Sequence, residues 1–180
     1  MTHRNDLLHA ASRILAGLLC AVCIGVPVVW AGESAEAKAA YSQAGVHFEA
    51  EDYAGAIALY DQAIKADPDF ISAYHDRGLA KLNLKDFKGA LSDFQAILKR
   101  EKNNDEALAY RGDAKAGLGD LKSALADYDR AIEMCPTCAY YYFGRGKLHL
   151  QAGDKAKAKL DLQEALDRNI LDAEALMQGL

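Results

Sequence analysis

Proline is scarce in this 180-residue chain, and acidic residues outnumber basic ones. Three prolines, 14 glycines and a 51% hydrophobic composition exclude a disordered chain. Lysine and arginine number 21 against 26 acidic residues, which gives a net charge of -5. Because binding to nucleic acid depends on concentrated positive charge, this balance argues against a nucleic-acid-binding protein. The composition instead predicts one domain with a substantial core.

Motifs that carry chemistry are also missing. The sequence has neither a phosphate-binding glycine loop nor a nucleophile elbow, so we expect no enzymatic activity and no cofactor. Its acidic residues recur at predicted turns, as in Glu51-Asp52 and Gly119-Asp120, where they cap helices or face solvent. No stretch alternates apolar and polar residues over a useful length, which argues against strands.

The first 31 residues differ from the rest of the chain. Arg4 and Arg13 precede a segment, residues 14–32, that has no charged side chain and ends in small residues. This pattern predicts a signal peptide over 1–31, cut after Ala31, followed by a short linker at 32–36. An uncleaved membrane anchor is the alternative, because 19 uncharged residues approach the length of a membrane span. Both interpretations predict an exported protein, free in a bacterial periplasm or anchored in the inner membrane and facing it.

A 34-residue period runs from about residue 37 to residue 172. It relates three Arg-Gly pairs, four alanines and four large apolar residues. These are Arg77-Gly78, Arg111-Gly112, Arg145-Gly146, Ala56, Ala90, Ala124, Ala158, Tyr60, Phe94, Tyr128 and Leu162. Apolar residues recur at helical spacing on both sides of a short polar turn. A period of this length is typical of stacked helix pairs that bury their apolar faces against one another, which predicts an all-α fold.

The units resemble tetratricopeptide repeats (TPRs), whose pattern ends in A-x3-F followed by a proline. Two units carry it most fully, Ala56-x3-Tyr60 with Pro68 and Ala124-x3-Tyr128 with Pro136. The resemblance implies an α-solenoid, a right-handed superhelix of antiparallel helix pairs. It divides the chain into units at 37–70, 71–104, 105–138 and 139–172, with a partial capping helix at 173–180. It also implies a non-catalytic adaptor or scaffold that binds a protein or peptide through its concave groove.

The arginine of each Arg-Gly pair stands at a normally buried position, where a guanidinium needs a partner. An aspartate follows each of these arginines after 16 residues. Unit one has Gln43 and Leu59 at the two places, so both charges vanish together. We therefore predict structural ion pairs within units two to four, because such forks satisfy carboxylates well. The predicted pairs are Arg77-Asp93, Arg111-Asp127 and Arg145-Asp161. The alternative is two sets of solvated charges on separate exposed faces.

The stripe of the first helices that faces the groove is predicted to hold the binding residues. These are Tyr41, Phe48, His75, Leu79, Leu82, Asp113, Tyr140, Phe143, Lys147 and Leu150. The stripe is apolar and aromatic at both ends, which predicts an apolar peptide segment anchored on aromatic side chains, with Asp113 and Lys147 setting its direction. The alternative is that several of these aromatic residues belong to the core between units.

Two further features refine the groove prediction. The lysines that form a clamp for a C-terminal carboxylate in some members of the family are replaced here by Tyr41, His75, Ala109 and Phe143. A receptor of that subtype is therefore not expected. The four aromatic residues at 140–143 cannot all point the same way, because successive helical residues turn by about 100°. At least one of them is expected to be available for binding.

Cys135 and Cys138 stand at the turn between units three and four. In an exported chain this spacing predicts a disulfide or a pair of inert thiols, and an exchangeable redox pair is the alternative. No further cysteine pair or histidine cluster completes a metal site, so no metal is expected. Alternative functions are thus a periplasmic thiol–disulfide protein, or a structural element that forms homo-oligomers through an apolar C-terminal edge at Leu176, Met177 and Leu180.

Overall fold

The computed structural model describes residues 34–179, which form nine α-helices and no strand within that range. The helices are α1 (Ala35–Glu49), α2 (Tyr53–Ala66), α3 (Ile71–Asn83), α4 (Phe87–Arg100), α5 (Asp105–Gly117), α6 (Leu121–Met134), α7 (Ala139–Gln151), α8 (Lys155–Asp167) and α9 (Asp172–Gln178). The first eight form four antiparallel pairs, and α9 follows the last pair. This is the all-α solenoid that the repeat period predicts.

The predicted signal peptide or anchor at 1–31 lies outside the described residues. Within residues 34–179, every helix is too short or too polar to cross a membrane. The predicted linker at 32–36 is wrong at its C-terminal end, because Ala35 and Glu36 already belong to α1. The Ser34 hydroxyl accepts a hydrogen bond from the Ala37 backbone N–H at 3.0 Å and caps the helix there.

The second helix of each pair begins with the same local structure. The side chain of an aspartate accepts a hydrogen bond from the backbone N–H three residues later, at Asp52, Asp86, Asp120 and Asp154. The residue before each aspartate has a positive φ, at Glu51, Lys85, Gly119 and Gly153. This left-handed residue followed by a helix cap reverses the chain in a few residues, so the two helices of a pair lie side by side.

Small residues let the paired helices approach closely. Ala56, Ala90, Ala124 and Ala158 have no exposed surface. A Cβ atom added at Gly78 would lie 2.7 Å from the Phe94 ring, so the ring covers the glycine directly. Gly112 lies in the same way against Tyr128, and Gly146 against Leu162. The Arg-Gly period is therefore a packing signal, since a side chain at these glycines would push the pair apart.

Three clusters of buried residues follow one another along the array. Tyr60 belongs to the first, Phe94 and Tyr128 to the central one, and Leu162 to the last. The last cluster includes Ala173 of α9, so this short helix covers the end of the fourth pair. Leu176 and Met177, which were predicted to form an apolar edge, are half-buried against that cluster, and Leu180 lies outside the described residues. Self-association through this end stays a prediction.

Contacts between pairs show how the array curves. Each second helix packs on the first helix of the next pair. First helices also contact each other, α3 with α5 and α5 with α7, whereas successive second helices in residues 34–179 have no contact of that extent. First helices are therefore closer together than second helices. The array curves toward them, and they line its inner, concave side.

Candidate functional site

A groove on the inner side of the array has a cavity volume of about 400 Å³. Residues of five helices line it: Phe48, Leu79, Leu82, Asn83, Phe87, Tyr110, Asp113 and Tyr140. Leucine and aromatic side chains predominate, with one amide and one carboxylate among them. An open apolar groove with a few polar groups is typical of sites that bind peptide segments or small molecules.

Aromatic rings build one wall of the groove. The Tyr110 ring stacks on the buried Phe94 ring, with centroids 5.5 Å apart and planes at 22°. Tyr140 of the next first helix lies 6.2 Å from Tyr110, and 43% of it is exposed. Burial raises the pKa of Tyr140 to about 12, with a smaller contribution from the charge of Asp113, so its hydroxyl stays protonated at neutral pH. The wall presents ring surfaces and hydroxyl donors to a ligand.

Asp113 is the only carboxylate among the residues that line this groove in the described part of the chain. Its Oδ1 accepts a hydrogen bond from the Tyr128 hydroxyl at 2.7 Å. Burial raises the pKa of Asp113, whereas the bond from Tyr128 and the charge of Lys147 act in the opposite direction. The Tyr128 hydroxyl reaches this place because Gly144 has no side chain, and a Cβ atom there would collide with it. The carboxylate is thus held in a fixed position by the core.

Five of the ten groove residues predicted from the sequence line this groove, namely Phe48, Leu79, Leu82, Asp113 and Tyr140. Two others, Tyr41 and His75, line a separate depression between α1, α3 and α5. There the Tyr41 hydroxyl donates a hydrogen bond to Asp76 Oδ2 at 2.5 Å. The hydrogen bond between His75 and Asp76 raises the pKa of His75, and burial opposes that shift.

The remaining three predicted residues are not among those that line this cavity. Phe143 and Leu150 are half-buried against the C-terminal cluster, because α9 covers this part of the stripe. Lys147 is exposed, and its Nζ lies 5.2 Å above the Phe143 ring. The surroundings of Phe143 and Leu150 therefore fit the alternative given above, that some residues of the predicted stripe belong to the core.

Asn83, Phe87 and Tyr110 line the groove but were not predicted. Asn83 and Phe87 flank the turn between α3 and α4, and Phe87 belongs to a second helix. The predicted groove residues all belong to one stripe of the first helices, and none of these three residues lies on that stripe. The contact that places Phe87 there is seen only in the structure, where its ring covers Gly117 of the next unit and a side chain at that glycine would collide with it. Tyr110 lies one residue past the predicted stripe position Ala109, which is fully buried instead.

The four aromatic residues at 140–143 point in different directions. Tyr140 faces the groove. Tyr141 is buried, and its hydroxyl donates to Asp105 Oδ2 at 2.9 Å. The Tyr142 hydroxyl donates to the Pro136 carbonyl at 3.1 Å, and Arg145 and Arg168 lie over its ring. Tyr141 and Tyr142 therefore contact the preceding unit, Phe143 packs against the C-terminal cluster, and Tyr140 is available to a ligand.

Each arginine of the period is bonded to the aspartate that follows it by 16 residues. Arg111 donates from Nε and Nη2 to the two Asp127 oxygens, at 2.9 and 2.6 Å. Arg77 binds Asp93 and Arg145 binds Asp161 through the same two nitrogens. The three aspartates are almost fully buried, at 2% to 6% exposure. The two-bond forks join the helices of a pair.

The structure adds partners to these pairs. A second basic residue, one helical turn after the arginine, also approaches each aspartate. These residues are Lys81 at 2.8 Å, Lys115 at 2.7 Å and His149 at 3.8 Å. Arg77 also reaches Asp61 of the preceding pair at 2.5 Å, and Arg145 reaches Asp129 at 2.7 Å. Although burial opposes it, the bonds to Asp93 and Asp61 raise the pKa of Arg77. These contacts connect successive pairs, and they define a structural network separate from the groove.

Cys135 and Cys138 are joined by a disulfide across the turn between α6 and α7. Both are half-buried, and Cys138 is the residue at the N-terminal end of α7. Asp105 lies close enough to form a cluster of three potential metal ligands with them. Sulfur atoms bonded to each other are poor metal ligands, because metals bind the thiolate. Whether the disulfide exchanges with other thiols stays a prediction.

Family comparison identifies the repeat. A model of the TPR repeat matches residues 46–85 and 112–153, and a tetratricopeptide-repeat model matches 139–169, together more than half of the chain. The chain belongs to the tetratricopeptide-repeat family. Comparison with curated protein sequences gave no match.

Solved structures of similar fold include two further TPR proteins and one peptide complex. YrrB, a TPR protein described as having an unusual peptide-binding site, has a TM-score of 0.69 at 23% identity, over 80% of this chain and 75% of that one. A thermophilic TPR protein of Thermus thermophilus has a TM-score of 0.68 at 20% identity, over 74% of each chain. The first TPR of Spaghetti (RPAP3), bound to the HSP90 peptide SRMEEVD, has a TM-score of 0.62 at 25% identity, over 66% of this chain and 94% of that one.

Proposed function

We propose that this protein is an adaptor that binds a peptide segment of a partner protein in the groove between Phe48 and Tyr140. The observation that carries the proposal is an exposed aromatic residue at the edge of an apolar cavity of about 400 Å³. Large aromatic side chains that border a pocket commonly dominate binding energy. The TPR fold supports the same conclusion, because the repeats stack into an extended inner surface instead of an enclosed active site.

The printed descriptions of two relatives support a peptide as the ligand. YrrB is described as having a peptide-binding site, and the RPAP3 repeat is bound to an HSP90 peptide. That HSP90 peptide, SRMEEVD, is acidic at its C-terminal end. The groove of this protein contains Asp113 and no lysine or arginine among its lining residues in the described part of the chain. We therefore propose a ligand of a different type, with apolar side chains that contact Leu79, Leu82 and the aromatic wall.

Removing the Tyr140 side chain is expected to weaken peptide binding at least about tenfold, since an aromatic anchor residue typically contributes about 2 kcal/mol or more. The probe is a peptide selected from a random display library against the protein purified after expression of all 180 residues. Fluorescence anisotropy of the labelled peptide would give Kd for the wild type and for Tyr140→Ala. Because Tyr140 is 43% exposed, the thermal midpoint should change little.

Leu160→Ala provides the control for this experiment. Leu160 is 72% exposed on α8 and does not line the groove, so its loss should leave Kd unchanged. Equal Kd values for the wild type and Tyr140→Ala, or an equal loss in both variants, would contradict binding in the groove.

We further propose that the protein acts outside the cytoplasm, in a bacterial periplasm. The support is the uncharged segment at 14–32, which follows two arginines and ends in small residues, as signal peptides do. Mass spectrometry of the protein recovered from its native host should find a chain that begins at Gly32 in the periplasmic fraction. A chain with an intact N-terminus in the membrane fraction would favour the anchor, and one in the cytoplasm would contradict export.

A further inference from the structure

The carboxylate of Asp113 in the groove is not explained by an apolar ligand. What we infer from it rests on the proposed function. Asp113 lines the cavity, yet it has no basic partner in the described part of the chain: no lysine or arginine nitrogen lies within ion-pair distance of its carboxylate. The charge of Lys147 acts on it from a distance, and the ammonium group of that lysine lies over the Phe143 ring. Asp93, Asp127 and Asp161, in contrast, are each held by an arginine fork.

The surroundings of Asp113 are suited to a cation. Tyr110 and Tyr140 present their rings on one side of the cavity, and Phe48 and Phe87 contribute two more aromatic side chains to its lining. Cations are attracted to the faces of aromatic rings, and the attraction grows when water is excluded. Leu79 and Leu82 add an aliphatic surface on which the methylene groups of a long side chain would pack.

The side chains next to the groove include further carboxylates, as Asp113 is within it. The neighbouring depression on the inner side is lined by Asp76 and Glu106, with His75 as its only basic side chain in the described residues. His75 is already hydrogen-bonded to Asp76, with Nδ1 2.9 Å from Oδ1. A ligand that extends along the first helices would therefore pass two acidic sites in succession, Asp113 and the Asp76–Glu106 pair.

We propose that the groove selects a peptide with a lysine or arginine side chain, whose cationic group binds Asp113 between the aromatic rings while flanking apolar residues contact Leu79 and Leu82. An acidic segment would place like charges together, which costs binding energy. A purely apolar side chain would cover the carboxylate and leave its charge with only the Tyr128 hydrogen bond, which is costly as well. A basic residue satisfies the carboxylate and uses the aromatic wall.

The test compares a selected peptide with a copy in which the basic residue is replaced by an uncharged one of similar shape, norleucine for lysine or citrulline for arginine. The wild type should bind the basic peptide about tenfold more tightly than the uncharged copy, a difference that shrinks as salt rises. Asp113→Asn should bind both copies equally. Asparagine keeps an oxygen that accepts the Tyr128 hydrogen bond, so the variant should fold. Glu133→Gln, the same change at an exposed position of α6, should retain the tenfold preference.

The outcomes separate this inference from the proposed function. Selected peptides that lack a basic residue, or equal affinity of the wild type for both copies, would overturn the role of Asp113 and leave peptide binding intact. A preference for the basic copy that survives in Asp113→Asn would also overturn it. Failure to select any peptide that depends on Tyr140 would contradict the proposed function itself.

Discussion

Replacing Asp93 by alanine is expected to lower the free energy of unfolding by about 3 kcal/mol, because it leaves buried positive charge without its partner. Asp93 is 2% exposed, and it accepts hydrogen bonds from Arg77 Nε and Nη2 and from Lys81 Nζ. The side chains of Arg77 and Lys81 are themselves only 14% and 16% exposed. Urea unfolding of the wild type and Asp93→Ala, followed by circular dichroism, would measure the loss.

Asp61 offers a matched control, because it is bonded to the same guanidinium from the other side. Its side chain is 56% exposed, so solvent replaces much of what it contributes. Asp61→Ala should therefore cost less than about 1 kcal/mol, as exposed ion pairs generally do. Equal losses in Asp61→Ala and Asp93→Ala would show that burial does not set the strength of this network. No loss in Asp93→Ala would contradict its role in joining α3 to α4.

Phe94→Ala is expected to destabilise the protein by about 3–5 kcal/mol, the usual cost of removing a fully buried phenylalanine. Phe94 has no exposed surface, covers Gly78 and stacks on Tyr110. Since Tyr110 forms part of the aromatic wall, peptide affinity should fall as well, even at temperatures where the variant is folded. Urea unfolding and the anisotropy assay would measure the two effects separately.

Phe87→Ala is the control for Phe94→Ala, since it removes the same side chain from the same helix. Phe87 is only half-buried, so its loss should cost about 1–2 kcal/mol. It nevertheless lines the groove, so Phe87→Ala should weaken peptide binding although it lowers the free energy of unfolding only slightly. If the two variants are equally destabilised, Phe94 does not have the central place in the core that its contacts indicate.

Residues with one partner inside a unit were the most predictable from the sequence. The glycines and alanines of the 34-residue period contact each other within a pair, so their spacing alone indicates close packing. The ion pairs of the Arg77-Asp93 type were predictable for a similar reason. An arginine and an aspartate stand at the same two positions of units two to four, and neither stands there in unit one. Local rules also account for the helix caps, where an aspartate precedes each second helix.

Contacts between units were harder to predict. The bond from Arg77 to Asp61 has the same 16-residue separation as the bond to Asp93, but it runs backward along the chain, and Gln95 stands at the matching place before Arg111. Phe143 and Leu150 look like groove residues by spacing, yet α9 packs over that part of the stripe. Periodicity places residues on a helix face, but it does not say which face the next element covers.

The most direct test of peptide binding in the groove is a crosslinking experiment with a photoreactive residue at two positions. We would introduce p-benzoylphenylalanine at Leu82, which lines the groove, and at the exposed Leu160, which does not. The selected basic peptide should form an adduct from position 82, and excess unlabelled peptide should abolish it. An adduct that forms only from position 160, or one that the unlabelled peptide does not reduce, would contradict the groove as the binding site.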